Sequence, residues 1–219
     1  MPPPRERDPH ARKERIVAAS GLVFAAAGFE QASVREISLK ARVNVASINY
    51  YFGSKEGLYR EVLLAAHRQL LEQEPPPAPA AEPELALREW ILFCLRFVLL
   101  KRSAHPVLGR LMAHEMRQPT AALGELVKLV IKPIFENLVR IVEAMAGDFL
   151  DKGQREMAAH QIVAMCVHFD HSRVVIGQLG LAVPETEEGI ARLAGSIADM
   201  AVRGLGTPAK INSSKRTPA

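Results

Sequence analysis

An all-α fold is what this sequence predicts, and three observations predict it. Apolar residues recur at helical spacing through most of the chain, glycine and proline clusters cut it into pieces of helical length, and few stretches alternate as strands do. With 219 residues, 48% hydrophobic and 24% charged, the chain suits a soluble globular protein of one large or two unequal domains, which excludes disordered, collagenous and coiled-coil classes. The longest apolar run, Trp90 to Leu100, is broken by Arg96 and falls short of the roughly 18 residues of a membrane span. No membrane partner is expected. The opening residues lack the apolar stretch of a secretory signal, so a cytoplasmic location is expected.

The elements follow in order. Asp8 caps a first helix that begins at Pro9, carries Ile16, Ala19, Val23 and Ala27 on one stripe, and stops at Gly28. Ser33-Val34-Arg35-Glu36 reads as a capping box opening a short helix to about Ala41. Asn44 caps the next, Val45 to about Phe52, and Gly53-Ser54 breaks it and caps a fourth through Leu58, Val62, Ala66 and Leu70. The proline-rich stretch 71–83 reads as a linker, because Pro75 to Pro83 cannot continue a helix. Beyond it, helices are expected over Glu84 to Arg102, Pro106 to Arg117, Thr120 to about Met145 with a kink at Pro133, Lys152 to about Gln178, and Thr186 to Val202. The polar, basic tail 206–219 is expected to be disordered. This gives a domain over 10–70, the linker 71–83 and a second domain over 84–205. Cys94 and Cys166 lie in apolar segments and read as buried thiols.

Charge points to the first domain. The net charge is +4, and residues 1–70 hold eleven Lys/Arg against seven Asp/Glu, so the whole excess falls there. Two short helices, Ser33 to Ala41 and Asn44 to Phe52, joined by a turn of about three residues, have the dimensions of a helix-turn-helix. The second helix would enter a major groove about 12 Å wide while the first crosses the backbone. Ile37 and Ile48 would pack the pair together. Val45, Ala46, Ser47, Asn49, Tyr50 and Tyr51 are left for the groove or its phosphates: Ser47 and Asn49 hydrogen-bond base edges, and Val45 or Ala46 meets a thymine methyl. Tyr50, Tyr51 and Lys55 suit phosphate oxygens, with Lys55 at a helix N-terminus. Ser33, Val34, Arg35 and Asn44 complete the candidate DNA-binding set. The competing reading is a plain helical bundle in which the aromatics at 50–52 are core.

The residues Ile16-Val17-Ala18-Ala19, Phe24, Gly28-Phe29, Ser33-Val34-Arg35-Glu36-Ile37, Ala41-Arg42-Val43, Ile48-Asn49-Tyr50-Tyr51-Phe52 and Ser54-Lys55-Glu56-Gly57-Leu58 together resemble the DNA-binding domain of TetR-family transcriptional regulators, over residues 10–70 without a gap. Two positions depart from that pattern. Arg42 stands where the family often has glycine, at a cost of about 1 kcal/mol if its φ is positive, and Asn49 where many members have tyrosine. Further on, His114-Glu115-Met116-Arg117-Gln118-Pro119-Thr120 and Lys132-Pro133-Ile134-Phe135-Glu136 resemble the C-terminal domain of the CecR-like subgroup. The resemblance implies a homodimer on a palindromic double-stranded DNA operator, with repression relieved by a small-molecule effector held in the C-terminal domain. It implies no cofactor and no catalytic residue.

In the second domain, Phe93, Phe97, Met112, Phe135, Met165, Phe169 and Arg173 are candidates for the effector pocket, although helical bundles bury such residues as ordinary core. Arg173 could hold an anionic effector or pair with Asp170. Ile190, Leu193, Ala194, Ile197 and Ala201 share one face of the last helix. That face fits either a dimer interface or packing inside its own subunit. His160, His168 and His171 could share a helix face, which raises a rival reading, a metal-binding or hydrolytic protein using the His160 to Arg173 segment. Only His168 and His171 are close enough to share an ion, and no metal site is assigned.

Overall fold

The computed structural model describes residues 8–78, 80–101 and 104–206. Packing divides the chain into two compact units, residues 1–76 with 96–136 and residues 77–95 with 137–219. The first division falls in the proline run, between Pro76 and Pro77. The second does not follow chain order, because residues 96–136 return to the first unit.

In the first unit, α1 (Pro9–Gln31) starts on Asp8, whose carboxylate accepts the His10 N–H at 2.8 Å, and bends at Gly28, φ 76°, before a last turn. Next come α2 (Val34–Ala41), α3 (Val45–Phe52) and α4 (Lys55–Gln73). Each start is capped by the expected side chain: Ser33 accepts from Arg35 N–H, Asn44 from Ala46 N–H and Ser54 from Gly57 N–H. Ser33 thus bonds the second residue of its helix and not Glu36, so the reciprocal box expected there is replaced by a single-sided cap. After the π-helical stretch Arg96–Lys101, α6 (Pro106–Arg117) packs on α1 and α4, and α7 (Ala121–Leu126) packs on α4. Ile16, Phe24, Ile37, Ile48, Leu58, Leu63, Leu111 and Leu126 are fully buried in one core. Burial of each such side chain stabilises the fold by about 1.5–3 kcal/mol.

Helix continues from α7 through a π-helical turn, Val127–Ile131, into α8 (Lys132–Ala146). Pro133 has no N–H for the Leu129 carbonyl, and the turn before it is widened, with Lys132 N–H reaching back to Val127 O. The irregularity expected at Pro133 is therefore a π-turn just ahead of it.

The second unit is built on α5 (Pro83–Leu95), α9 (Lys152–His171) and α11 (Glu187–Gly206), which pack pairwise, with the short α10 (Arg173–Gln178) against α9. The expected single helix from Lys152 to Gln178 breaks at Ser172, whose hydroxyl meets His168 Nδ1 at 3.2 Å. Leu87, Trp90, Ile91, Leu138, Val142, Ile162 and Cys166 are buried here. Cys94 and Cys166 are both buried free thiols, and the Cys94 sulfur, together with burial, pushes the Cys166 thiol up. On the last helix, Ile190, Ala194, Ile197 and Ala201 are at most 8% exposed and Leu193 is half-buried, packed against α5 and α9, so within one chain this face is core.

Among the described residues no helix is long and apolar enough to cross a membrane. Of the expected tail, Gly206 closes α11, and 207–219 lie outside the described residues.

Candidate nucleic-acid interface

The geometry of α2, α3 and α4 is set by three local devices. Arg42 closes α2 in the left-handed region, φ 53° and ψ 46°, and Val43 N–H returns to Ser38 O at 3.0 Å, which turns the chain within three residues. Arg15 of α1 donates to the Ala41 carbonyl at 3.0 Å and ties the end of α2 to the core. At the other end of α3, Gly53 takes φ 75°, and Gly57 in the first turn of α4 lies so close to the Phe52 carbonyl that a Cβ there would collide with it. Sequence reasoning missed this joint. Only the motif spacing, with a glycine two residues past Lys55, hinted at it.

Seen from the core, α3 has two faces. Ile48 is fully buried, and Tyr51 and Phe52 pack half-buried against the same cluster. Val45, Ala46, Asn49 and Tyr50 face water together, Tyr50 at 83% exposure. Half-buried Ser47 flanks them. Asn44 is exposed, but its side-chain oxygen is engaged as the cap of α3. Ser33 and Arg35 are exposed at the start of α2, and Val34 is half-buried against the core. Lys55 is partly covered: its ammonium donates to the Glu30 carbonyl at 3.0 Å and lies 4.7 Å over the Phe29 ring. It therefore ties the start of α4 to the end of α1. Exposed Lys40 and Arg42 flank the turn and were not among the predicted residues; their charge beside the turn was the available signal. In the first turn of α4 the Glu56 carboxyl is held below the usual carboxylate range, first by Ser54 and then by its own backbone N–H.

An exposed helical face of about two turns, with polar and small apolar side chains on it and a second helix braced across its start, is what base-edge reading in a major groove requires. The comparisons agree. Residues 16–62 match the family described as bacterial regulatory proteins, tetR family, and residues 83–205 match the C-terminal domain of the HTH-type transcriptional dual regulator CecR. The CecR of Shigella flexneri is 30% identical over 167 residues, 72% of this chain and 74% of that one. The chain belongs to the TetR family. It is a DNA-binding transcriptional regulator with a CecR-type C-terminal domain, and not an enzyme. The HTH-type transcriptional repressor NicS of Pseudomonas putida is 28% identical over 203 residues, covering 88% of this chain and 92% of the relative. Among solved structures, a HlyIIR mutant protein aligns with TM-score 0.58 at 26% identity, over 88% of this chain and 100% of that one. The flavonoid-responsive regulator FrrA aligns with TM-score 0.67 at 20% identity, over 89% and 97%, a likeness of fold alone.

The other predicted sites of this regulator fare unevenly. Phe97, Met112 and Phe135 belong to the first unit and Phe93, Met165, Phe169 and Arg173 to the second. Phe93 is buried against the edge of Trp90 at 6.3 Å, and the others are half-buried. Arg173 lines a cleft of about 890 Å³ with Leu181, Val183 and Leu193, and its guanidinium donates to Glu185 at 3.0 Å. His160, His168 and His171 are exposed along α9, and among the described residues no three His, Cys, Asp or Glu side chains converge as metal ligands.

Proposed function

We infer that the regulator works as a homodimeric repressor on a palindromic operator and is released by a small-molecule effector. The observation that carries this reading is the exposed α3 face, which is rigidly held yet only about two turns long. One such helix reads only a few base pairs, so specificity calls for a second copy on a neighbouring half-site. Val45, Ala46, Asn49 and Tyr50 would meet base edges or phosphates, with Lys40, Arg42 and Lys55 adding positive charge. Because the Ile190 to Ala201 face is internal, the dimer contact must use other surface of the second unit, where Val174, Val175, Leu179, Leu181 and Met200 stand 58–78% exposed. That much apolar surface in water favours an interface. Effector binding is assigned to the second unit, around Phe93, Met165, Phe169 and the Arg173 cleft. An anionic effector there would have to displace Glu185 from Arg173.

The test is a spacing experiment. On a duplex selected from random sequence by the full-length protein, inserting five base pairs between half-sites turns one half-site to the opposite side of the helix and is expected to abolish tight binding. Unchanged affinity would overturn the dimeric reading. For the effector, affinity measured with and without operator must differ by the same factor by which the effector weakens operator binding, and equal affinities would mean no coupling.

A further inference from the structure

The first unit contains a carboxylate that the DNA-reading face does not use. Glu115, in the last turn of α6, has no exposed surface. Its oxygens accept three hydrogen bonds, all from neutral donors. Oε1 takes the Tyr59 hydroxyl at 2.7 Å and the Thr120 hydroxyl at 2.9 Å, and Oε2 takes the Thr120 backbone N–H at 2.9 Å. Thr120 caps α7, so the two bonds from Thr120 fold the end of α6 onto the start of α7. The Tyr59 bond is different in kind, since it crosses to α4 and joins residues 56 apart in sequence.

Tyr59 lies two residues beyond Gly57, at the joint where α4 abuts the Phe52 carbonyl of α3. Its ring stands edge-on to Phe24 at 4.8 Å and tilted against Phe29 at 5.1 Å, and Phe29 carries the Lys55 ammonium on its face. One continuous set of contacts therefore runs from Thr120 and Glu115 through the tyrosine to the kinked end of α1 and the first turn of α4. Beside it, the His114 ring fills the space a side chain at Gly28 would need, 3.0 Å from where its Cβ would stand. A buried carboxylate is tolerated only while its donors are in place, so the arrangement is intact or broken, with no cheap intermediate.

We propose that Glu115 and Tyr59 are positioning residues for DNA reading: the carboxylate, through the tyrosine hydroxyl, fixes the rotation of α4 about its own axis and with it the direction in which α3 presents Asn49 and Tyr50. Burial and the adjacent carboxylate raise the Tyr59 phenol, which keeps it protonated as the donor. The proposal rests on the reading of α3 as the recognition helix. It also gives the α6 to α7 corner a role, because any displacement of Thr120 or Glu115 must be felt at the joint of α3 and α4.

The test uses the full-length protein and two duplexes, one selected by the wild type from random sequence and one scrambled. Tyr59→Phe removes a single hydroxyl and leaves every phosphate-facing cation in place. It is expected to weaken the selected duplex at least tenfold while the scrambled duplex changes by less than twofold, since non-specific binding depends on charge and not on the aim of α3. Tyr59→Phe/Glu115→Gln removes the tyrosine donor and the buried charge together while leaving an amide to bond Thr120, and is expected to recover thermal stability without recovering selective binding. Proportional loss on both duplexes, or wild-type affinity of either variant for the selected duplex, would overturn the proposal. If Tyr59→Phe does not fold, the double variant alone decides. A wild-type protein that selects no duplex would instead sink the recognition-helix reading itself.

Discussion

Two helical faces were expected to be functional surfaces, one on α3 and one on α11, and they end in opposite places. The α3 face at Val45, Ala46, Asn49 and Tyr50 stands in water, whereas the α11 face at Ile190, Ala194, Ile197 and Ala201 is inside the second unit. Periodicity identifies the apolar stripe of a helix but not its partner. On α11 a long stripe of aliphatic side chains packs on α5 and α9 of the same chain. The α3 helix is only eight residues long, with Ile48 alone fully buried, and has nothing left with which to cover its outer side.

The sharpest way to break this comparison is one substitution on each face. Ile197→Asp puts a carboxylate into the α11 core, and the second unit is expected to lose more than about 4 kcal/mol and unfold in a denaturant titration. Tyr50→Ala is expected to change stability by less than about 0.5 kcal/mol while abolishing selective DNA binding. A stable Ile197→Asp protein would return the α11 face to the surface.

Intermediate effects test how α3 is held and what it reads. Gly57→Ala drives a methyl into the Phe52 carbonyl, with an expected loss of roughly 1–3 kcal/mol in thermal unfolding and a disproportionate loss of selective binding. Asn49→Ala should leave the melting curve unchanged and relax base preference at one position by roughly 1–3 kcal/mol, read from a panel of single-base duplex variants. Uniform weakening across that panel would move Asn49 from base to backbone contact. The smallest effect is expected at the turn. Arg42 holds φ 53° without being glycine, so Arg42→Gly is expected to raise stability by up to about 1 kcal/mol, the removed strain being offset by the greater freedom of glycine in the unfolded chain. A fall in stability would show that the Arg42 side chain makes contacts worth more than the strain.

What was legible in the sequence was local. Asp8, Asn44 and Ser54 cap their helices as their side chains dictate, because a cap needs only the next two or three residues. Ile37 and Ile48 are buried as the two-helix spacing requires. The rest depends on partners distant in sequence. Nothing near Gly57 announces the Phe52 carbonyl, and nothing near Tyr59 announces Glu115. The return of residues 96–136 to the first unit is likewise invisible to a reading that follows chain order. Capping chemistry also misled once: the reciprocal box expected at Ser33 and Glu36 forms instead at Asp151 and Gln154, where each side chain bonds the other's backbone N–H.

The placement of the aromatic side chains gives the molecule two separate optical reporters. Its single tryptophan, Trp90, lies in the second unit, 3% exposed and with an indole N–H that meets no acceptor among the described residues, so its emission should be blue-shifted when folded and move to the red when that unit opens. All three tyrosines, at 50, 51 and 59, lie in the first unit. Fluorescence excited selectively at the indole therefore follows one unit, and tyrosine absorbance near the ultraviolet edge follows mainly the other, with no label or engineered probe. Coincident midpoints in urea would mean that the two units unfold as one cooperative block, and separated midpoints would measure how far the DNA-reading half can open while the other half stays folded.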